Sequence, residues 1–468
     1  MNMEKKNSKN ISRRDFLKDS GLAAAAVGSV AALGACAPKK AADLVTTGSK
    51  PDSILDTGKM ATRQTPDGET VSLLGYGCMR FQMHKDEKGN DVLDQDNVNS
   101  LIDYALAHGV TYFDTSPAYL RGQSETFLGN ALSRHDRKSY HIATKLSNFG
   151  DQSREASMMM YHKSFEYLQT DYIDFYLLHS IGRGGVAAFN QRYVDNGMMP
   201  FLMKEREAGR IKRLGFSFHG NQEEFDKLLA MTDEYHYDFV QIQCNYYDWK
   251  HADGVRNVNA EYLYEQLDKR NLPIVVMEPL QGSRLANPAD NIVRQLKERD
   301  PEASVASWAF RYVGSHPRIL TILSGMVYME HLKDNLKTFM DFKPLTEEEQ
   351  TFLDTNIADE IANYPLIDCN DCKYCMPCPY GLDIPGIFKY YNQSINEGKF
   401  AQSKEQENYK KLRRAFLVGY DRTIPSLRQA SHCVGCHQCV PHCPQSIDIP
   451  RQLRKIDQYV ERLKRDLM

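Results

Sequence analysis

The sequence predicts an α/β fold: a (β/α)8 TIM barrel followed by a small, cysteine-rich α-helical domain. Three observations predict it. Eight short apolar runs alternate with helix-patterned segments over roughly 280 residues, no Gly-x-Gly-x-x-Gly turn follows an early strand, and eight of the 11 cysteines fall in the last 100 residues. Eight alternations suit a closed barrel better than an open sheet, and the missing glycine turn argues against a doubly wound dinucleotide fold.

The apolar runs are residues 72–79, 111–115, 141–146, 172–179, 211–218, 239–244, 273–278 and 319–324. Between them, residues 97–108, 154–168, 199–208, 222–231, 260–270, 290–298 and 331–340 carry apolar side chains at helical spacing. The segment 181–203 is long for a strand–helix connection and rich in Gly and Met. It reads either as a cover over a substrate or as a surface insert. The domain boundaries expected are 60–342 for the barrel and 343–468 for the C-terminal domain.

Residues 1–36 read as an address rather than as fold. A basic start (Lys5, Lys6, Lys9) precedes Ser12-Arg13-Arg14-Asp15-Phe16-Leu17-Lys18 and an apolar stretch of about 15 residues, too short to span a bilayer comfortably. The paired arginines resemble a twin-arginine export signal. Leu33-Gly34-Ala35-Cys36 resembles a lipoprotein cleavage box, which implies a periplasmic or cell-envelope protein attached to the membrane through lipidated Cys36. An uncleaved amphiphilic tail is the alternative. Residues 37–59 read as a solvated linker. With 58 Lys+Arg against 61 Asp+Glu, 42% apolar and 25% charged residues, disorder and multispanning membrane folds are excluded, and no nucleic-acid partner is expected.

Barrel active sites sit at the C-terminal ends of the strands. Strand 2 ends in Asp114, with Tyr119 in the following loop; strand 3 ends at Lys145 and strand 4 at His179. Strand 5 ends near Ser217, strand 6 at Gln243 and Asn245, and strand 7 at Glu278. Singly, each has an ordinary role: a cap, a surface charge, a satisfied histidine. Together, Asp, Tyr, Lys and His on three adjacent strands form an acid–base set. A carboxylate would hold the lysine charged, the ammonium would lower the tyrosine pKa from about 10, and the histidine could bond a substrate oxygen.

These residues lie in motifs that resemble the aldo-keto reductases: Tyr112-Phe113-Asp114-Thr115-Ser116-Pro117-Ala118-Tyr119 with Ser124-Glu125, then Ala143-Thr144-Lys145, then Asp174-Phe175-Tyr176-Leu177-Leu178-His179. The resemblance implies hydride transfer between a nicotinamide and a small carbonyl or alcohol substrate. Tyr119 is then the proton donor or acceptor, Lys145 paired with Asp114 tunes it, and His179 orients the substrate. For the cofactor, NADP or NAD, it implies Ser217 and Gln241 at the nicotinamide and Ser324, Gly325, Met326, Glu330 and Asn335 around the adenosine phosphate. Phe218 replaces the family's asparagine. Gly325 and His331 stand where many members grip a 2′-phosphate with Lys and Arg, which leaves the two dinucleotides open. Cys78 and Cys244 read as small buried side chains. Tyr246, Tyr247 and Trp249 read either as a substrate mouth or as core.

The C-terminal cysteines form two runs, Cys369-x2-Cys372-x2-Cys375-x2-Cys378-Pro379 and, after 54 intervening residues, Cys433-x2-Cys436-x2-Cys439-x3-Cys443-Pro444. The second has the bacterial ferredoxin spacing; the first is one residue shorter before its last cysteine. The runs repeat beyond their cysteines: Cys378-Pro-Tyr-Gly-Leu-Asp-Ile-Pro parallels Cys443-Pro-Gln-Ser-Ile-Asp-Ile-Pro. Zinc and disulfides are the other uses of such cysteines. The runs, with a helical stretch at 384–426 between them, resemble an α-helical ferredoxin domain with two 4Fe–4S clusters. By that resemblance Cys369, Cys372, Cys375 and Cys443 hold one, and Cys433, Cys436, Cys439 and Cys378 hold the other. The combination resembles a branch of aldo-keto reductases with a C-terminal 4Fe–4S module, which implies an electron-transfer partner. The other reading is an electron-transfer or structural iron–sulfur protein whose barrel no longer uses free NAD(P)H. A lipid-anchored carbohydrate-binding barrel has little support, with two tryptophans to stack on sugars.

Overall fold

The structure, a computed structural model, describes residues 55, 57–87, 91–252, 254 and 257–467. The export and lipidation motifs, Cys36 included, lie outside them. Among the described residues no helix is long and apolar enough to cross a membrane.

Eight parallel strands close into a barrel. They are β1 Leu74–Gly77, β2 Tyr112–Asp114, β3 His141–Leu146, β4 Ile173–Ile181, β5 Ile211–Phe218, β6 Phe239–Gln243, β7 Ile274–Met277 and β8 Ile319–Ser324. Each pairs with its successor, and β8 pairs with β1 through Ile322–Leu74, Leu323–Gly75 and Ser324–Tyr76. Every residue of β6 is buried. This is the condition of a strand covered by helices outside and side chains inside, and it explains why the strands read as runs rather than alternations.

The principal barrel helices are α1 Gln95–Ala107, α2 Ser124–Leu132, α3 Arg154–Leu168, α4 Met198–Glu207, α5 Gln222–Ala230, α6 Ala260–Asp268, α7 Asp290–Arg299, α8 Val305–Gly314 and α9 Met329–Phe339. Side-chain caps mark several starts: Ser153 accepts from Ala156 N at 3.2 Å and Asn221 from Glu224 N at 3.0 Å. Helices α2 and α8 were not expected. Inside the barrel, Tyr112, Phe175 and Phe239 pack with ring centroids 4.9 and 5.1 Å apart, among Val71, Leu177, Val275 and Leu320. Below them, Arg213 reaches Asp67 and Glu69 of the hairpin formed by Thr62–Gln64 and Thr70–Ser72. The lower end is thus plugged, and a cavity remains at the upper end.

One expectation needs correction, and two open alternatives are decided. Residues 345–361 belong to the barrel, not to the C-terminal domain: Leu345, Phe352, Leu353, Ile357 and Ile361 are buried in the barrel's outer core, and the second core begins at Ile367. The segment 181–203 is no surface insert: it contains the helix Gly185–Phe189, a wide turn at Asn190–Val194 and the start of α4. Tyr246 and Trp249 do not line a mouth; they are buried against Tyr312, and Trp249 also stacks on His316.

The C-terminal domain packs α10 Ile384–Asn396, α11 Tyr409–Thr423 and α12 Ile449–Lys464 around Phe388, Tyr391, Phe416, Ile456 and Tyr459. The internal sequence repeat has a structural cause. Asp383 caps α10 and Asp448 caps α12, each with proline in the first turn, where its missing N–H costs nothing. Each cysteine run therefore leads into a capped helix.

Candidate active site

The upper end of the barrel opens into a cavity of about 550 Å³. Lys145 is fully buried at its base. Its Nζ donates to both Asp114 carboxylate oxygens at 2.7 Å and to the Thr115 carbonyl at 2.8 Å. Asp114 closes β2 and Lys145 lies near the end of the neighbouring β3, so their pairing follows from adjacency in the barrel. Burial pushes the carboxyl up and the ammonium down, and their mutual attraction opposes both shifts.

Tyr119 lies over this pair, with Lys145 Nζ 4.9 Å from its ring centroid. The structure overturns the expected lowering of its pKa. Burial, with the negative charge of Asp114 and Glu278, holds the phenol well above its usual value. The ammonium is engaged with Asp114, so Tyr119 is a protonated phenol poised to give a proton.

His179 meets the Tyr119 ring edge-on at 5.9 Å between centroids. Its Nδ1 is bonded with Ser147 Oγ at 2.6 Å and Ser116 Oγ at 3.2 Å. Burial and the cations Lys145 and Arg192 hold it well below the usual histidine range, so the ring is neutral. Sequence reasoning did not single out Ser147. It lies two residues beyond Lys145, where strand alternation returns a side chain to the same face. Behind the site, Glu125 accepts from Thr144 Oγ1 at 2.5 Å, and burial pushes its carboxyl up to about 7. A carboxyl raised in the folded state favours folding at low pH, and that advantage is lost as pH rises through the folded value. Stability should therefore fall by about 3 kcal/mol between roughly pH 4.5 and 7 on this account, and urea melts of Glu125→Gln should lack that component.

The expected cofactor residues divide. Ser217, Gln241, Ser324 and Gly325 line the cavity. Ser217 Oγ accepts from Ser180 N at 2.7 Å, and Asn335, buried behind, donates to Ser324 Oγ at 2.8 Å. The Gln241 Oε1 atom is buried without a hydrogen-bond partner among the described residues. Met326 is fully buried, its carbonyl bonded by Tyr76 at 2.5 Å, and Glu330 is exposed on the first turn of α9; neither lines the cavity. Gln243 and Asn245 also turn away, bonding Asp248 at 2.6 and 2.5 Å. Phe218 packs on Phe225 at 4.9 Å and is core. Cys78 and Cys244 are fully buried.

The segment 181–203 contributes Arg183 and Arg192, and the C-terminal domain contributes Cys372 and Tyr374, to the same cavity. Asn370 Nδ2 donates to Glu278 Oε1 at 2.7 Å, and Arg284 pairs with Asp368 at 2.5 Å. A Cβ at Gly282 would lie 2.5 Å from the Asn370 Cα, so only glycine permits this approach. The first cysteine loop is thus seated on the end of β7.

Cys369, Cys372, Cys375 and Cys443 line one small cavity with Ile384, Phe388 and Ile447. Burial pushes Cys439 up to about 11, and its neighbours Cys433, Cys436 and Cys378 add to the rise. Cys443 of the second run thus lies with three cysteines of the first. The ten described cysteines form no disulfide. Among the described residues no three cysteine sulfurs lie within 4.8 Å of one another, whereas zinc would draw four to about 3.8 Å apart. An all-thiol quartet walled by apolar side chains fits an iron–sulfur cubane.

This polar set at the open end of a (β/α)8 barrel defines an oxidoreductase site. The aldo/keto reductase family model matches residues 73–357, more than half of the chain, and the chain belongs to that family. A 4Fe-4S dicluster domain matches residues 368–448. Curated relatives include the uncharacterized oxidoreductase YqkF of Bacillus subtilis, 25% identical over 62% of this chain and 94% of its own. Protein tas of Escherichia coli is 31% identical over 63% and 96%. Among solved structures, the holo form of aldo-keto reductase AKR11C1 from Bacillus halodurans has TM-score 0.50 and 21% identity over 63% of this chain and 95% of its own, a likeness of fold.

Proposed function

We propose that the protein transfers a hydride between a bound nicotinamide and a small carbonyl or alcohol, and that two 4Fe–4S clusters would link that nicotinamide to an external partner, exchanging its two electrons one at a time while a proton passes to or from solvent. The observation that carries this reading is the shared cavity: Tyr119, His179 and Cys372 line one space. A nicotinamide, NADP or NAD, would be held by Ser217 and Gln241 and would supply the hydride. Gln241 Oε1, buried and unpartnered among the described residues, suits a carboxamide N–H. In the reducing direction Tyr119 gives its proton to the substrate oxygen, His179 bonds that oxygen through the nitrogen not engaged with Ser147, and Asp114 fixes Lys145 beneath. Cys369, Cys372, Cys375 and Cys443 would hold the cluster beside the cavity. Cys378, Cys433, Cys436 and Cys439 would hold the second. Cys436 is exposed, which favours the second cluster as the port to a partner. Export through the Arg13-Arg14 motif, with attachment through Cys36, would place that partner at the cell envelope.

The test is anaerobic. Cluster-loaded protein is mixed with NADPH, and separately NADH, while the iron–sulfur absorbance is followed. Bleaching is expected; persistent colour with the nicotinamide demonstrably bound would reject the electron path. One observation favours a second reading, in which free nicotinamide is not used. A dinucleotide stretching from Gln241 on β6 to Ser324 on β8 must cross the end of β7, where Asn370 and Glu278 are joined. No binding of either dinucleotide would select that reading.

A further inference from the structure

Two guanidiniums of the barrel point at the first cysteine quartet rather than at substrate alone. Arg183, from the loop after β4, donates to the carbonyl of Cys443, to that of Pro441 at 3.4 Å and to Ser446 Oγ at 3.3 Å. Arg80, from the loop after β1, donates to the carbonyl of Asn370, between Cys369 and Cys372. Both side chains also line the active cavity. They therefore stand between the reacting centre and one quartet, anchored to both chain segments that supply it.

A cubane held by four thiolates carries net negative charge, and taking up one electron adds another. Net charge, hydrogen bonding and exposure set its potential. A guanidinium keeps its charge at any working pH and is less strongly hydrated than an ammonium, so it suits a partly buried site. We infer that Arg80 and Arg183 are the counter-ions of the cluster held by Cys369, Cys372, Cys375 and Cys443, and that the barrel thereby raises the reduction potential of that cluster alone. They are positioning residues, acting on the cluster and not on the reacting bond. The inference rests on the reading that this quartet holds a 4Fe–4S cluster.

The test is a dithionite titration of the full-length, cluster-loaded protein, followed by electron paramagnetic resonance with iron content measured in parallel. It needs neither nicotinamide nor turnover, so it stands apart from the proposed electron path. Arg183→Met should make one of the two clusters at least tenfold harder to reduce, a shift of about 59 mV for one electron, and leave the other unchanged. Arg80→Met should act on the same cluster, and Arg183→Lys should restore most of the shift. Unchanged midpoints at full iron content would overturn the inference, as would equal movement of both clusters. Should Arg183→Met lose iron, Arg80→Met and Arg183→Lys decide by the same criterion.

Discussion

Tyr119→Phe lowers turnover of carbonyl substrates by about two to four orders of magnitude, the range that a positioned acid contributes, with nicotinamide affinity and cluster content unchanged. The argument rests on position and protonation. The phenol lies over Lys145 and edge-on to His179, and burial with Asp114 and Glu278 keeps its proton on. Phenylalanine keeps the ring and removes only the oxygen, so packing survives. Stopped-flow and steady-state rates on iron-replete protein are the measurement, and the loss should fall on kcat rather than on KM. Turnover equal to the wild type would remove Tyr119 from the chemistry and favour the reading in which the barrel no longer catalyses.

Much of this site was legible because it depends on residues near one another in strand order. Asp114, Lys145 and His179 fall near the ends of consecutive strands, and closing the barrel brings them together. The strand runs 141–146, 211–218 and 319–324 coincide with β3, β5 and β8. What remained hidden depends on pairings that no period reveals. Asn370 meets Glu278 across 92 positions and Arg183 meets Cys443 across 260, so the docking of the second domain onto the cavity was not legible in either domain alone. Tyr374, which lines the cavity, was not singled out from the sequence because nothing local marks a residue between two cysteines of the run. The tyrosine pKa was misjudged for a related reason: the sequence shows that an ammonium is near, but not that a carboxylate has already taken it. The boundary at 343 failed because the helices Glu347–Phe352 and Ala358–Ala362 complete the barrel's outer core before the second core begins.

The heaviest structural cost is expected at Lys145. Lys145→Met keeps much of the side-chain volume but leaves the Asp114 carboxylate buried with no cation within bonding distance, a change that typically destabilises by about 3–5 kcal/mol. The loss has a definite pH dependence. In the variant the Asp114 carboxyl is raised by burial with no compensating ammonium, so its protonated form favours the fold. Stability is best preserved below the unfolded carboxylate pKa of about 3.9 and erodes as pH rises through the folded value. Urea unfolding at pH 5 and pH 8 should therefore show the larger deficit at pH 8. Adding Asp114→Asn removes the stranded charge, so the double variant should recover a large part of the deficit while remaining inactive. A strictly additive loss would mean that the two side chains are held by their surroundings rather than by each other. Iron content is the internal control: the quartets lie in a second core, with its own hydrophobic cluster, and should stay loaded in both variants.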